Sequence, residues 1–160
     1  MNISATNSES DVRTIHEIML QSFSEYQYDN VPSSALKETI NTIKNAFNKG
    51  ECALIAYQDD KAIGMLRFQI EETELYFYRL SVLPIYQRQG VAKSLLNHLE
   101  NYCMKHQISK IKCKVRANIW KNINLYKQSG YHIYKQEQIY KDTSHPLTIV
   151  SMFKPLDNFK

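Results

Sequence analysis

Between Ser8 and Phe23, Val12, Ile15, Ile18 or Met19, and then Ser22 or Phe23 recur at helical spacing. That pattern predicts an amphipathic helix with Ser8 or Ser10 as its N-cap. Tyr26 to Pro32 interrupts it with polar and aromatic side chains, and from Ser33 the series Leu36, Ile40, Ile43, Phe47, closed by Gly50, predicts a second helix. Three extended segments follow, Cys52 to Gln58, Lys61 to Glu71 after the turn Asp59-Asp60, and Leu75 to Leu83. The first two read as a hairpin that the third continues as a meander. Val91, Leu95, Leu96, Leu99, Tyr102 and Cys103 then form one stripe of a third helix over Val91 to His106, which begins just after Gly90.

Lys110 to Arg116 alternates charged residues with Ile111, Cys113 and Val115, the period of a strand with one buried face. Ile119, Ile123, Leu125 and Tyr126 are spaced as in a fourth helix running to Ser129, with Gly130 as its C-cap. Tyr131 to Tyr140 and Leu147 to Phe153 read as the last two strands around the loop Lys141 to Pro146. With an opening strand, the order is βααβββαβαββ. It predicts an α/β (mixed α+β) fold: a central mixed, mostly antiparallel twisted sheet of about seven strands with helices on both faces. The 160 residues are expected to form a single domain, residues 1–160, because a chain of this length buries enough surface for one core.

Composition narrows the picture. With 43% apolar residues, four Gly and four Pro, disorder and low-complexity architectures are excluded. Apolar runs of only a few residues fall far short of the roughly 18 to 20 needed to cross a bilayer, so no membrane partner is expected. The start MNISATNSESDVR lacks the basic and apolar regions of a secretory signal, and Cys52, Cys103 and Cys113 are scattered. Both features point to a reducing, cytoplasmic setting. Neither the cysteines nor the histidines at 16, 98, 106, 132 and 145 show zinc-site spacing, so no metal is expected. The usual P-loop, dinucleotide and nucleophile-elbow signatures are missing as well.

The net charge of +4 is unevenly distributed. From Asn101 to Gln136 there is no acidic residue, while Lys105, Lys110, Lys112, Lys114, Arg116, Lys121, Lys127 and Lys135 give +8, leaving the rest of the chain at −4. Such a tract fits a solvated face, a nucleic-acid footprint, or the seat of a polyanionic small molecule. Lys112, Lys114 and Arg116 have no interleaved aromatic residues and make a poor stacking platform. No nucleic-acid partner is therefore expected.

The informative stretch is YFYRLSVLPIYQRQGVAKSLL, residues 76–96, where a strand runs through a short turn into a helix. A helix N-terminus offers unpaired N–H groups and about half a positive charge, which suits a phosphate or pyrophosphate. Gly90 and Ala92 keep the approach open, and Arg88 adds fixed positive charge.

Gln87-x-x-Gly90-x-Ala92 after Leu80-Ser81-Val82 resembles the pyrophosphate loop of the GNAT superfamily of acetyl-CoA-dependent N-acetyltransferases. NLYKQSGY at 124–131 is similar to that family's L-Y-x-x-x-G-[F/Y] segment. The resemblance implies acetyl-CoA as acetyl donor, bound by Gln87, Arg88, Gln89, Gly90, Val91 and Ala92. It places the pantetheine arm against the main chain of Leu80, Ser81 and Val82. Arg88, Lys121 and Lys127 become candidates for the 3′-phosphate, and Asn118 and Asn122 bracket the position of a further cofactor-binding asparagine.

In the same resemblance Tyr126 donates to the leaving thiolate, and a backbone N–H near Val82 stabilises the oxyanion. Many members carry a general-base Glu on the fourth strand where this chain has Tyr78, and Glu74 is the nearest carboxylate. A base acting through water, or an amine arriving already neutral, are the other routes. Glu25, Tyr26 and Asp29 are candidate contacts for the amine of a small-molecule or peptide substrate, and a merely solvated loop suits them equally. The implied reaction is direct attack in a ternary complex. The alternative is a non-catalytic CoA-binding regulatory module, and monomer and homodimer both remain open.

Overall fold

The computed structural model describes residues 1–24, 34–140 and 145–156. The strands are β1 (Asn2–Thr6), β2 (Cys52–Gln58), β3 (Lys61–Glu71), β4 (Glu74–Val82), β5 (Lys110–Arg116), β6 (His132–Tyr140) and β7 (Pro146–Pro155). The α-helices are α1 (Val12–Phe23), α2 (Ile40–Asn48), α3 (Val91–Lys105) and α4 (Trp120–Gln128). The strands form one seven-stranded sheet in the order β1-β2-β3-β4-β5-β7-β6. β4 and β5 pair in parallel over Glu74–Tyr76, while β1/β2, β2/β3, β5/β7 and β6/β7 pair antiparallel. A parallel pair requires a crossover, and α3 supplies it. Among the described residues no helix is long and apolar enough to cross a membrane.

Two helix starts differ from the periodicity. Before α1 lies a 3₁₀ turn, Glu9–Asp11, with the Ser8 hydroxyl accepting from the Ser10 N–H. The second helix begins at Ile40 rather than near Ser33, and Ser34–Lys37 is a separate 3₁₀ turn. Thr39 and Thr42 decide that start: each side chain accepts from the other's backbone N–H, at 3.2 and 3.0 Å. This reciprocal cap satisfies two otherwise unpaired donors and fixes where the helix begins. Leu36 and Ile40 keep a spacing that a short turn followed by a helix satisfies as well as one continuous helix.

The chain divides into two compact units, Met1–Gln69 with Phe77–Leu99, and Ile70–Tyr76 with Glu100–Lys160. In the first, Ala53 and Ile55 of β2 and Met65 of β3 pack with Val12, Ile15, Ile18 and Met19 of α1 and Ile43 and Phe47 of α2. Each large apolar side chain fully buried in such a cluster contributes roughly 1.5–3 kcal/mol. The start of α3 packs on the opposite side of β3, at Gly64. A Cβ there would stand 3.0 Å from Val91 Cγ1 and 3.1 Å from the Ser81 carbonyl oxygen. The mid-strand glycine thus lets the first turn of α3 lie close to the sheet.

In the second unit β5 buries Ile111, Cys113 and Val115. α4 ends in a Schellman motif: Gly130, at φ 95°, donates to the Lys127 carbonyl at 3.1 Å, and Tyr131 donates to that of Tyr126 at 2.9 Å. The Lys154 ammonium ties this end down, donating to the Ser129 carbonyl at 2.8 Å and to Glu100 at 2.6 Å.

Candidate active site

The first unit holds the turn from β4 into α3. The Leu83 N–H donates to the Ile63 carbonyl at 2.9 Å, anchoring the strand's end. Pro84–Tyr86 forms a 3₁₀ turn, and the Gln87 side-chain amide donates back to the Val82 carbonyl at 3.1 Å. The Gln89 amide donates to the Ile85 carbonyl, also at 3.1 Å. Arg88 and Gly90 both have left-handed backbones, at φ 64° and 85°. The Gly90 carbonyl accepts from the Ser94 N–H at 3.0 Å and so opens the α3 ladder. Arg88, Gln89 and Gly90 are exposed. A Cβ on Gly90 would meet nothing within 4 Å, so glycine is favoured here by its φ, and the space beside it is open. The first-turn N–H groups lack partners one turn back and carry the positive end of the helix dipole.

Leu75 and Phe77 of β4 are buried, but Arg79 takes φ 58° and breaks the alternation, leaving Leu80 half-buried and Ser81 and Val82 both buried. The Ser81 hydroxyl donates to the Arg79 carbonyl at 2.8 Å. Around this irregularity lies a buried ionic network. Arg67 of β3 is 0% exposed and Glu51, just after α2, is 1% exposed. Arg67 Nε donates to Glu51 Oε2 at 2.6 Å and its Nη1 donates to Glu38 Oε2 at 2.8 Å. Arg79 Nε donates to the same Glu38 oxygen at 2.9 Å and its Nη2 to Ser34 Oγ at 3.2 Å.

The Tyr78 hydroxyl donates to Glu51 Oε1, and both guanidiniums lie over the Tyr78 ring, at 4.8 and 5.4 Å from its centroid. Burial opposes charge on Arg67, but Glu51, Tyr78 and Glu38 outweigh it and push its pKa up. Burial and then the hydrogen bond to Glu51 push the Tyr78 pKa well above the ordinary phenol value, so at neutral pH Tyr78 is a neutral donor.

The second unit holds the other predicted residues. Glu74 pairs with Lys112 at 2.7 Å, and that hydrogen bond holds its pKa below the usual carboxylate value. Tyr126 is 5% exposed on α4, its ring 5.9 Å from that of Tyr131. Lys121 and Lys127 are exposed on the same helix, and Asn118 is exposed before it. Asn122 is half-buried in the first turn, its N–H donating to the Ile119 carbonyl at 3.1 Å. Glu25, Tyr26 and Asp29 lie outside the described residues.

The structure therefore joins Gln87 through Ala92 to Leu80–Val82, gives Tyr78 a carboxylate partner, and occupies Glu74 with a lysine. Sequence reasoning missed Glu38, Glu51, Arg67 and Arg79 as a connected set. The available signal was Arg67 itself, a charge inside the otherwise apolar run AIGMLRF.

Residues 13–131 match the Acetyltransferase (GNAT) family. The chain belongs to this family. The match spans both the turn into α3 and the Tyr126–Tyr131 segment. N-alpha-acetyltransferase 50 of Danio rerio is 28% identical over 108 residues, which make up 64% of this chain and 64% of that protein. The chain thus spans under two thirds of that relative's length. The ribosomal-protein-S18-alanine N-acetyltransferase from Escherichia coli superposes with a TM-score of 0.76 at 23% identity, covering 96% of this chain and 92% of that one. The PaiA N-acetyltransferase from Thermoplasma acidophilum, solved in complex with coenzyme A, gives 0.75 at 17% identity, covering 98% of this chain and 100% of that one. At these identities the two structures establish a shared GNAT fold.

Proposed function

We propose that residues 1–160 act as one acetyltransferase domain, moving an acetyl group from acetyl-CoA to a primary amine of a small molecule or of a peptide or protein. The carrying observation is the turn into α3, where left-handed Arg88 and Gly90 leave an exposed backbone at the positive end of a helix. Acetyl-CoA supplies the activated acyl group and the anionic pyrophosphate and 3′-phosphate. The N–H groups of Gln89 to Ala92 and the Arg88 side chain would bind the pyrophosphate, with Lys121, Lys127, Asn118 and Asn122 as further cofactor contacts. The main chain of Leu80 to Val82 would align the pantetheine arm, and an N–H near Val82 would face the carbonyl oxygen as it gains charge. Tyr126 would donate its hydroxyl proton to the leaving sulfur.

The chain's own residues favour direct attack by the amine in a ternary complex. Burial pushes the Cys103 and Cys113 thiols up to about 12 and also raises Cys52, which disfavours an acyl-cysteine route. Three free cysteines also suit a reducing, cytoplasmic setting. Tyr78 keeps its proton, and the Lys112 ammonium occupies the Glu74 carboxylate at 2.7 Å and makes it a weaker base, so the attacking amine would lose its proton to water.

The test is CoA release from acetyl-CoA across a panel of amines. The similar proteins are named N-alpha-acetyltransferase and ribosomal-protein-alanine N-acetyltransferase, so peptides with free α-amines head the panel, followed by lysine peptides and diamines. One class is expected to turn over, with kcat/KM rising about tenfold per pH unit below the amine's own pKa because only the neutral amine attacks. Saturable CoA binding without turnover on any amine would instead make the chain a regulatory CoA-binding module.

A further inference from the structure

Inside β4 one residue with a side chain takes a left-handed backbone, and the burial alternation of the strand breaks there. Arg79 sits at φ 58°, a conformation that glycine adopts freely and a residue with a Cβ resists. Within a strand it persists where its surroundings over-determine it, and here they do. Its guanidinium is held by Glu38 at 2.9 Å and by Ser34 at 3.2 Å, and its carbonyl accepts from the Ser81 hydroxyl at 2.8 Å. Glu38 is fixed in turn. Its carboxylate takes Arg67 Nη1 at 2.8 Å, its carbonyl oxygen lies 3.0 Å from the His16 ring nitrogen of α1, and its N–H donates to the Ala35 carbonyl at 3.2 Å. Arg67 is fully buried and locked on Glu51 at 2.6 Å. One carboxylate oxygen thus couples β3, the segment before α2 and the irregular residue of β4.

We infer that Glu38 is a positioning residue: by holding Arg79 left-handed, it sets the direction of the main-chain N–H groups of Leu80 to Val82. The inference rests on the proposed function, in which that stretch faces the acyl group. It differs from a merely structural ion pair because the conformation of Arg79, rather than the contact itself, is what reaches the reacting atoms.

Comparing Arg79→Ala with Arg79→Gly separates the two roles, since both lose the clamp and only glycine holds the left-handed conformation without it. We expect Arg79→Gly to retain a kcat about tenfold above that of Arg79→Ala, because small misplacements of aligning groups cost one to two orders of magnitude. KM for acetyl-CoA should differ between the two by less than about threefold, since the turn into α3 is untouched. Glu38→Gln should fall with Arg79→Ala, and adding Arg79→Gly to it should recover most of the loss although no contact of Glu38 returns.

Amide NMR of the ligand-free protein gives a second readout, in which the Leu80 to Val82 resonances move in Arg79→Ala and Glu38→Gln and stay near wild type in Arg79→Gly. Equal kcat and equal amide shifts in the alanine and glycine variants would overturn the inference. Should the wild-type protein turn over no amine, the proposed function fails, while the amide comparison still decides whether Glu38 holds the strand.

Discussion

Replacing Arg67 with methionine is expected to destabilise the protein by about 3–5 kcal/mol, the usual result of removing one partner of a buried ion pair. Methionine keeps much of the side-chain volume, so the loss reports charge rather than a cavity. Arg67 is 0% exposed and Glu51 1% exposed, and the guanidinium reaches both Glu51, at 2.6 Å, and Glu38, at 2.8 Å. Without it the Glu51 carboxylate keeps the Tyr78 hydroxyl and the Gln69 amide, the latter at 3.3 Å, and loses its only cation among the described residues. Urea unfolding should show a lower midpoint at unchanged slope, with a Tm about 10 °C below wild type, given about 2–4 °C per kcal/mol for a chain of this size. Adding Glu51→Leu should restore part of the loss, because an apolar replacement of both partners is far less costly than an orphaned charge. A loss below about 1 kcal/mol for Arg67→Met would contradict the buried network as a major determinant of the fold.

Tyr126→Phe is expected to lower kcat by about 10- to 100-fold while acetyl-CoA affinity stays within about threefold of wild type. The expected effect sits at the low end for a general acid because a thiolate, with a thiol pKa near 8.5, needs less help in leaving than an alkoxide does. Tyr126 is 5% exposed and packs at 5.9 Å from the Tyr131 ring, and phenylalanine preserves that packing. A change in turnover without a change in folding therefore belongs to the hydroxyl. Steady-state kinetics at saturating acetyl-CoA measure it, and an unchanged kcat would remove the role from Tyr126.

The α3 boundary and the turn before it were legible because the chemistry is contiguous: strand, turn, glycine and helix follow one another within a single stretch. The strands were legible where one face is buried, as in β5 with Ile111, Cys113 and Val115. The start of α2 was not, because a Thr-Thr cap stands in for the more familiar pairing with Glu or Gln. Arg79 was also hidden, since its left-handed backbone stems from contacts with Ser34, Glu38 and Ser81 rather than from a glycine. Periodicity says which face a residue occupies and nothing about its partner, so residues 38, 51, 67, 78 and 79 could not be joined from sequence. Glu74 illustrates the same limit: a carboxylate near the right place on the strand is occupied by Lys112, which the parallel pairing of β4 with β5 brings beside it.

Binding of acetyl-CoA at the turn from β4 into α3 is measured by isothermal titration of the wild-type protein beside Gly90→Glu. Glutamate there adds a negative charge at the anion site and a Cβ where φ is 85°. Micromolar binding by the wild type is expected, weakened about a hundredfold or more in the variant, equivalent to about 2.7 kcal/mol. Wild-type binding that survives unchanged in Gly90→Glu, or no binding by the wild type at all, would contradict a cofactor site at this turn.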